Sequence, residues 1–260
     1  MLRTTTDSIP YYQFERLVQE HQLEHAVFTR LGGVSATPFA MLNLGRTVGD
    51  PVDAVEENHR RALGTLGLER RQTVSCYQVH SARVGLVGKG HQGTVQPATD
   101  ALVTAAPGVW LLLRFADCVP VLLFDPLTPA VGLAHAGWRG IVAGVLSATV
   151  DTMARRLGSD PARMCAAIGP AIGACCYEVD ARTAEAVAAA CPADAEVVRR
   201  NMGSVHLDLP AAARSQLVAA GVGEVENAGL CTACHVDEFF SHRAERGHTG
   251  RFGIIVGLRQ

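Results

Sequence analysis

Residues 109–140 read VWLLLRFADCVPVLLFDPLTPAVGLAHAGWRG, and this stretch decides the fold. It contains three apolar runs of strand length, at residues 109–115, 119–124 and 130–135. Turn residues such as Asp and Pro separate the runs, so the pattern predicts three consecutive core strands. Seventeen positions separate Cys118 from His135, enough for one strand out and one strand back. We therefore expect both side chains at the same rim of a sheet.

The remaining sequence alternates further apolar runs with helical patterns. Residues 164–168 and 252–258 predict two more strands. Helical periodicity covers residues 52–67, 140–157, 181–191 and 210–220. No repeat, linker or low-complexity tract marks a domain boundary. A chain of 260 residues with 48% hydrophobic composition can bury a large core, so we predict an α/β fold with residues 1–260 in a single domain.

Charge and composition limit the kinds of partner. A formal charge of -2, from 23 basic and 25 acidic residues, provides no broad basic surface for nucleic acid or a membrane. We expect small-molecule partners, and a monomer or small homo-oligomer. Residues 1–30 contain neither the apolar core of a signal peptide nor a bilayer-spanning run, which predicts a cytoplasmic protein. Because the cytoplasm is reducing, we expect the eight cysteines to be buried thiols or metal ligands, with few or no disulfides.

Cys118, His135 and His80 offer the donor atoms of a metal site. Thiolate and imidazole suit a borderline-soft divalent ion, and three protein ligands leave a fourth position open, as in catalytic zinc sites. His80 closes the segment Gln78-Val79-His80, 38 residues before Cys118. Copper binds such ligands more tightly than zinc does, which makes it a second candidate that we do not favour. Asp117 places a carboxylate beside the cysteine, so Cys118, Asp117 and His135 are the candidate catalytic residues.

The same residues allow two other interpretations. A cysteine between apolar strands is often a small buried hydrophobic residue, and a single histidine is often satisfied by a backbone hydrogen bond. Alternatively, His135 deprotonates Cys118 for nucleophilic thiol catalysis, with Gln78 orienting the imidazole. The second histidine favours the metal, because a Cys-His dyad needs an orienting Asn, Asp or Gln rather than another imidazole.

The turn Gly137-Trp138-Arg139-Gly140 precedes a predicted helix and suggests an anion site. Backbone N–H groups at a helix start, together with the Arg139 guanidinium, suit a phosphate or a carboxylate. The alternative is a tight turn with Trp138 packed in the core and Arg139 on the surface.

Four of the other seven cysteines lie in two local motifs. Cys231-Thr232-Ala233-Cys234-His235 matches the C-x-x-C-H signature of c-type haem attachment, but such attachment belongs to exported proteins. A zinc knuckle would need further ligands, and the nearest candidates, His242 and His248, have irregular spacing, so we expect a redox-sensitive or inert pair. Cys175 and Cys176 follow an irregular loop. Adjacent cysteines seldom bond to each other, which favours loop packing near the site.

A set of motifs resembles the YfiH-like family. The motifs are NLG-x-x-VGD (43–50), QVH (78–80), ADC-x-PVLL-x-DP (116–126), AHAGWRG (134–140), IGPAIG-x-CCYEV (168–179), and CT with FFS-x-R and TGR (231–251). The resemblance runs from about residue 26 to the C-terminus. Members of this family are labelled multicopper polyphenol oxidoreductases or laccase-like proteins, and also purine nucleoside phosphorylases.

This resemblance implies a fold, a metal and an activity. The fold is an α-β-β-α layered sandwich related to the cysteine-hydrolase-like domain of cytotoxic necrotizing factor toxins. The metal is one zinc ion per chain, held by His80, Cys118 and His135. The activity is phosphorolysis of adenosine, inosine, guanosine and methylthioadenosine to base and ribose 1-phosphate, with adenosine deamination as a second reaction. The candidate substrate- and phosphate-binding residues are Asn43, Arg46, Gln78, Arg139 and Arg243.

Three other functions stay open beside this one. The first is a Cys-His hydrolase of amides or peptides, acting on a cell-wall precursor. The second is laccase-like polyphenol oxidation, which we disfavour because multicopper oxidases hold copper through paired His-x-His segments and this sequence contains none. The third is a metal-binding module that regulates a partner.

Overall fold

The computed structural model describes residues 1–201 and 203–260, which contain fifteen strands, five α-helices and four short 3-10 helices. The strands are β1 (Leu2–Thr6), β2 (Ile9–Gln13), β3 (Leu23–Phe28), β4 (Thr73–Cys76), β5 (Val84–Leu86), β6 (Val95–Gln96), β7 (Ala101–Thr104), β8 (Trp110–Phe115), β9 (Val119–Asp125), β10 (Ala130–Ala136), β11 (Cys165–Ile168), β12 (Val198–Asn201), β13 (Ser204–Leu207), β14 (Glu224–Asn227) and β15 (Phe252–Leu258). The helices are α1 (Val52–Gly64), α2 (Trp138–Ala143), α3 (Val145–Leu157), α4 (Ala181–Ala189) and α5 (Leu209–Ala219).

Two large sheets and a small hairpin organise the strands. The first sheet has the order β1-β2-β3-β15-β8-β4-β6, the second has the order β14-β11-β9-β10-β7-β5, and β12 pairs with β13. The predicted α/β class is confirmed. The single-domain organisation and the comparison with the layered cytotoxic necrotizing factor domain stay predictions. None of the described helices combines the length and the apolarity needed to cross a bilayer.

The opening stretch forms β8, β9 and β10 in succession, as predicted. β8 belongs to the first sheet and β9 to the second, so the turn at 116–118 crosses from one sheet to the other. β9 and β10 are antiparallel neighbours, with His135 opposite Pro120. Cys118 and His135 consequently lie at the same end of the second sheet.

Apolar side chains fill the space between the two sheets. Leu111, Leu113 and Phe115 of β8 belong to one buried cluster with Leu122 and Phe124 of β9. Because side chains alternate along a strand, the intervening residues of β8 face away from this cluster. Helix α1 packs beside β8, and helices α3 and α5 pack beside β9 and β10.

The helix predicted over residues 140–157 is two helices. α2 ends at Ala143 and α3 begins at Val145, because Gly144 between them has φ +80°. A glycine in the left-handed region terminates a helix, although the apolar periodicity continues through the break. α2 therefore has six residues and a small dipole, so the anion-binding role predicted for this turn depends chiefly on the Arg139 side chain.

Acid is expected to destabilise the protein through His25 on β3. This histidine is 1% exposed, and its Nε2 accepts the backbone N–H of Phe14 at 2.8 Å. Burial lowers the pKa of His25 to about 4. Between about pH 6.5 and pH 4, His25 is protonated in the unfolded chain but stays neutral in the folded chain. The contribution of neutral His25 to the free energy of unfolding is therefore complete above pH 6.5 and is lost as the pH falls toward 4.

Denaturant unfolding at pH 4 and pH 7 tests this expectation. In His25→Gln, the loss of unfolding free energy between the two pH values should be smaller than in wild type by about 3 kcal/mol. His21→Gln, at an exposed site four residues earlier, is the control and should keep the wild-type pH dependence. A pH dependence that His25→Gln leaves unchanged would contradict the assignment.

Candidate functional site

Three donor atoms converge where β10 ends. Cys118 lies in the turn before β9, His135 lies near the end of β10, and His80 lies between β4 and β5. The Cys118 Sγ atom is 3.7 Å from His80 Nε2. One donor atom from each of the three residues lies within 4.8 Å of the others. The three predicted ligands thus form one group that could hold a metal ion.

Asp100, which sequence reasoning missed, fixes both histidines. Its side chain is fully buried, and one carboxylate oxygen lies 3.0 Å from His135 Nδ1. The carboxylate also accepts the backbone N–H groups of His80 at 2.9 Å and Ser81 at 2.7 Å. Burial raises the pKa of Asp100, but hydrogen bonds from His135, Ser81 and His80 outweigh it and hold this pKa well below its usual range. Because Nδ1 of His135 is occupied, Nε2 is the nitrogen left for a metal ion.

The protonation states of Cys118 and His135 depend on each other. Burial raises the pKa of the Cys118 thiol, but the neighbouring His135 and His80 outweigh it and lower this pKa below its usual range. Burial lowers the pKa of His135, whereas Cys118 and Asp100 raise it overall. The pair therefore favours a thiolate, which is the form of cysteine that binds a metal or acts as a nucleophile.

The donor group lies in a cavity of about 650 Å³. Three aromatic side chains line it, from Tyr77, Trp138 and Tyr177. Five arginines also line it, namely Arg46, Arg114, Arg139, Arg243 and Arg251. Among the described residues that line the cavity, Asp117 is the one carboxylate. This excess of positive charge favours an anionic ligand.

Arg139 is the cavity arginine whose guanidinium donors are least used by the protein itself. Its side chain is exposed, and its guanidinium carbon lies 4.3 Å from the centre of the Trp138 ring. Within the described part of the chain it forms no ion pair. Stacking on an aromatic face leaves the donors at the edge of the guanidinium free for a ligand.

Arg46 and Arg243, the other predicted arginines, have partners within the chain. Arg46 forms an ion pair with Glu56. Arg243 donates a hydrogen bond to the Glu178 carbonyl at 2.7 Å, and its guanidinium lies 4.9 Å from the centre of the Tyr177 ring. Both line the cavity, but part of their hydrogen-bonding capacity is already used.

Gln78 lines the cavity, but it does not take the orienting role considered above for the thiol interpretation. Its amide Nε2 donates to the Arg114 carbonyl at 2.8 Å, and its Oε1 accepts the Arg114 N–H at 3.2 Å. Gln78 thereby extends the pairing between its segment and β8. The group that orients His135 is Asp100.

Asn43 lies outside the cavity lining but contacts residues that form it. Its side chain is fully buried, with Nδ2 donating to Asp50 at 2.8 Å. Its Oδ1 accepts the backbone N–H groups of Gly45 and Arg251, both at 2.8 Å. Asn43 therefore holds together two segments that each supply cavity residues.

Asp117 ties the turn before Cys118 to the C-terminal part of the chain. One carboxylate oxygen accepts the hydroxyls of Thr232 and Ser241, both at 2.7 Å, and the other accepts the Arg243 N–H at 2.6 Å. Asp117 itself has φ +82°, a conformation that few non-glycine residues adopt. These contacts place Arg243 at the cavity and fix the turn that carries Cys118.

Two cavity arginines were missing from the sequence prediction. Arg114 interrupts the apolar run of β8 and donates to the Cys76 carbonyl, and Arg251 immediately precedes β15 and donates to the Thr249 and Gly250 carbonyls. A charged residue inside or at the end of a core strand is the available signal, because such a residue needs a polar cavity or a partner. Asp100, directly before β7, carries the same signal.

A family model and several curated proteins match this chain. The model, described as multi-copper polyphenol oxidoreductase laccase, matches residues 24–259. Purine nucleoside phosphorylase YlmD of Geobacillus stearothermophilus is 41% identical over 243 residues, with 89% of each chain covered. A purine nucleoside phosphorylase of Deinococcus radiodurans is 42% identical over 234 residues, covering 90% of this chain and 88% of the relative.

Two solved structures share the fold. The crystal structure of YlmD from Geobacillus stearothermophilus matches with a TM-score of 0.91 and 38% identity, covering 96% of this chain and 99% of the other. The crystal structure of the hypothetical protein YfiH from Bacillus licheniformis matches with a TM-score of 0.91 and 36% identity, covering 96% of each chain. Both matches therefore extend over the two large sheets.

Proposed function

Since the chain belongs to the family of multi-copper polyphenol oxidoreductase laccases, whose curated relatives are named purine nucleoside phosphorylases, we propose that it is a zinc-dependent purine nucleoside phosphorylase. Its expected substrates are adenosine, inosine, guanosine and methylthioadenosine, and adenosine deamination is proposed as a second reaction. The observation that carries this proposal is the cavity itself. It combines a His-Cys-His donor group with five arginines and three aromatic rings.

One donor separation within the group matches a zinc site. In a tetrahedral site with Zn–S about 2.3 Å and Zn–N about 2.0–2.1 Å, sulfur and nitrogen lie about 3.6 Å apart. Cys118 Sγ and His80 Nε2 are 3.7 Å apart. The hydrogen bond from His135 Nδ1 to Asp100 is the arrangement typical of a zinc-binding histidine. When bound, zinc would supply Lewis acidity at the open fourth position.

The phosphate is expected to bind Arg139. A guanidinium presents paired N–H donors that match phosphate oxygens, and those of Arg139 have no hydrogen-bond partner within the described part of the chain. Arg243 lies on the same cavity and is proposed as the second contact. Arg46, already paired with Glu56, is expected to contribute less.

The aromatic side chains suit a purine base. Stacking a base on an aromatic ring stabilises binding by about 1–3 kcal/mol, and Tyr77, Trp138 and Tyr177 all line the cavity. In phosphorolysis, the bond between the anomeric carbon and the purine nitrogen breaks, and a phosphate oxygen bonds to that carbon. The purine leaves with the electron pair and takes up the proton that the hydrogen phosphate ion loses. The chain contributes by holding both reactants in line.

The three candidate catalytic residues are proposed to play different parts. Cys118 and His135 act as metal ligands beside the reacting atoms. Asp117, whose carboxylate is engaged by Thr232, Ser241 and Arg243, acts as a positioning residue.

Incubation of the purified protein with adenosine tests the function directly. With phosphate, we expect adenine and ribose 1-phosphate. Without phosphate, we expect inosine, and hypoxanthine should appear when phosphate is then added. A chelator should abolish both reactions, and zinc should restore them. Failure to turn over any of the four nucleosides would overturn the proposal.

Arg139→Ala is expected to slow phosphorolysis about 30-fold, because a hydrogen bond to a charged group is worth roughly 2 kcal/mol. The loss should appear mainly in the KM for phosphate, with deamination of adenosine unchanged. The matched control is Arg156→Ala on α3, at an exposed position away from the cavity. Wild-type phosphorolysis in Arg139→Ala would remove this residue from the role.

A Cys-His hydrolase is the second candidate, because Asp100 completes a Cys118–His135–Asp100 arrangement. In that chemistry His135 would deprotonate Cys118 while Asp100 orients the imidazole. Metal content separates the two functions. Tightly bound zinc, with activity lost on chelation, supports the phosphorylase. A metal-free protein that iodoacetamide alkylates and inactivates at Cys118 supports the hydrolase.

Nucleosides and phosphate are the proposed partners, and no nucleic-acid or membrane partner is proposed. We also propose a cytoplasmic location and a monomer or small homo-oligomer. Cell fractionation and analytical ultracentrifugation measure these two properties.

A further inference from the structure

Four cysteine thiols meet outside the His-Cys-His group. Cys175 and Cys176 lie in the segment after β11, and Cys231 and Cys234 lie in the segment after β14. The Cys234 Sγ atom is 3.5 Å from that of Cys175 and 3.4 Å from that of Cys176. All four sulfur atoms lie within 4.8 Å of one another. We propose that these four cysteines hold a second zinc ion in a closed four-cysteine site.

The spacing of the sulfurs fits a single tetrahedral ion. With Zn–S about 2.3 Å, the sulfurs of a tetrahedral site lie about 3.8 Å apart. The four cysteines are free thiols, so each can supply a thiolate. Thiolate ligands select soft ions such as zinc over magnesium or calcium, and four protein ligands leave no position open for substrate. The site is therefore structural.

The backbone around the sulfurs is arranged as in a metal-binding turn. The N–H groups of Cys234 and His235 donate to the Cys231 carbonyl at 3.2 and 3.1 Å, which closes the C-x-x-C turn. The Gly173 N–H donates to Cys231 Sγ at 3.2 Å, a bond that stabilises a negative sulfur.

The sequence did not predict this ligand set. The C-x-x-C pair was expected to be redox-sensitive or inert, because the nearest further ligands, His242 and His248, have irregular spacing. The structure instead supplies Cys175 and Cys176, and Cys175 precedes Cys234 by 59 positions. His242 lines the cavity of the first site.

A zinc ion in this site would hold in place two segments beside the cavity of the His-Cys-His group. Tyr177 directly follows Cys176 and lines the cavity. Thr232 directly follows Cys231, and its hydroxyl donates to Asp117 beside the first metal group. Binding needs no oxidant, because each of the four thiols releases one proton as its sulfur bonds to zinc.

Zinc per chain is the primary measurement, by native mass spectrometry together with elemental analysis. Wild type should carry two zinc ions. Cys118→Ser should keep one, in the four-cysteine site, and Cys175→Ser/Cys234→Ser should keep one, in the His-Cys-His site. Cys191→Ser, at a half-buried cysteine outside both groups, is the control and should keep two.

Thermal unfolding gives a second readout that does not depend on nucleoside turnover. Zinc added to metal-free Cys118→Ser should raise Tm by about 5 °C or more, and a Cys118→Ser/Cys175→Ser/Cys234→Ser variant should lose this rise. A wild-type chain whose single zinc disappears in Cys118→Ser would overturn the proposal. So would iron in place of zinc, or a zinc-free mass that is lower by two or four hydrogens, which indicates disulfides.

Discussion

Asp100→Asn is expected to weaken zinc binding about 10- to 100-fold, the usual cost of removing a group that orients a metal ligand. It should also lower the free energy of unfolding by about 3 kcal/mol, because the substitution leaves buried hydrogen-bond donors without an acceptor. Competition with a zinc-binding dye and denaturant unfolding of the metal-free protein measure the two effects separately.

The physical reason is the number of donors that Asp100 satisfies. Its carboxylate accepts the N–H groups of Val79, His80 and Ser81, the Ser81 hydroxyl, and the contact from His135 Nδ1. An asparagine side chain has one oxygen, and its NH2 group would face an N–H donor. Either the loop of His80 or the ring of His135 then loses its partner, and one ligand changes its orientation.

Asp125→Asn is the matched control for this prediction. Asp125 is 1% exposed at the end of β9, and its carboxylate accepts the backbone N–H groups of Leu127 and Thr128 at 3.0 and 3.1 Å. It lies outside the cavity lining. Asp125→Asn should therefore lower stability without changing zinc affinity. Equal zinc affinities in the two variants would show that Asp100 has a purely structural role.

The part of this site that the sequence predicts is the part built from neighbouring strands. Apolar runs at 109–115, 119–124 and 130–135 are local signals, and they place Cys118 and His135 at one sheet rim without knowledge of the rest. His80 was included because its donor atom completes a zinc set and because the QVH motif resembles the family. Its position beside Cys118 depends on a left-handed backbone at His80, with φ +62°, that apolar patterning does not reveal.

Contacts between segments that are far apart in the sequence could not be predicted from local patterns. Cys175 and Cys234 lie 59 positions apart, and their meeting depends on β11 and β14 pairing in parallel. Nothing in either local motif fixes that pairing. The break at Gly144 was missed for a different reason, since apolar periodicity records which side chains face the core and does not record φ.

Gly137→Ala is expected to lower zinc affinity and kcat/KM for adenosine about 100-fold or more, because displacing reacting groups by about 1 Å has that cost. A Cβ on Gly137 would lie 2.8 Å from His80 Cδ2 and 2.9 Å from Cys118 Sγ. Gly137 has φ -74°, which any residue adopts, so the effect acts through the two ligands and the backbone is not strained. The sequence predicted this glycine as part of a turn that suits an anion. In the structure, it gives room to the ligands themselves.

Gly140→Ala tests whether Gly137→Ala acts through that clash. A Cβ on Gly140, in the same Gly-Trp-Arg-Gly turn, would lie 3.4 Å from Val145 Cγ1 and 3.5 Å from the His135 carbonyl oxygen, which are ordinary contacts. Gly140→Ala should therefore bind zinc and turn over adenosine nearly as wild type does. Zinc affinity by dye competition and kcat/KM on the zinc-loaded proteins compare the two variants. If Gly137→Ala keeps wild-type zinc affinity, His80 and Cys118 do not share one ion, and the Cys-His hydrolase becomes the better account of this site.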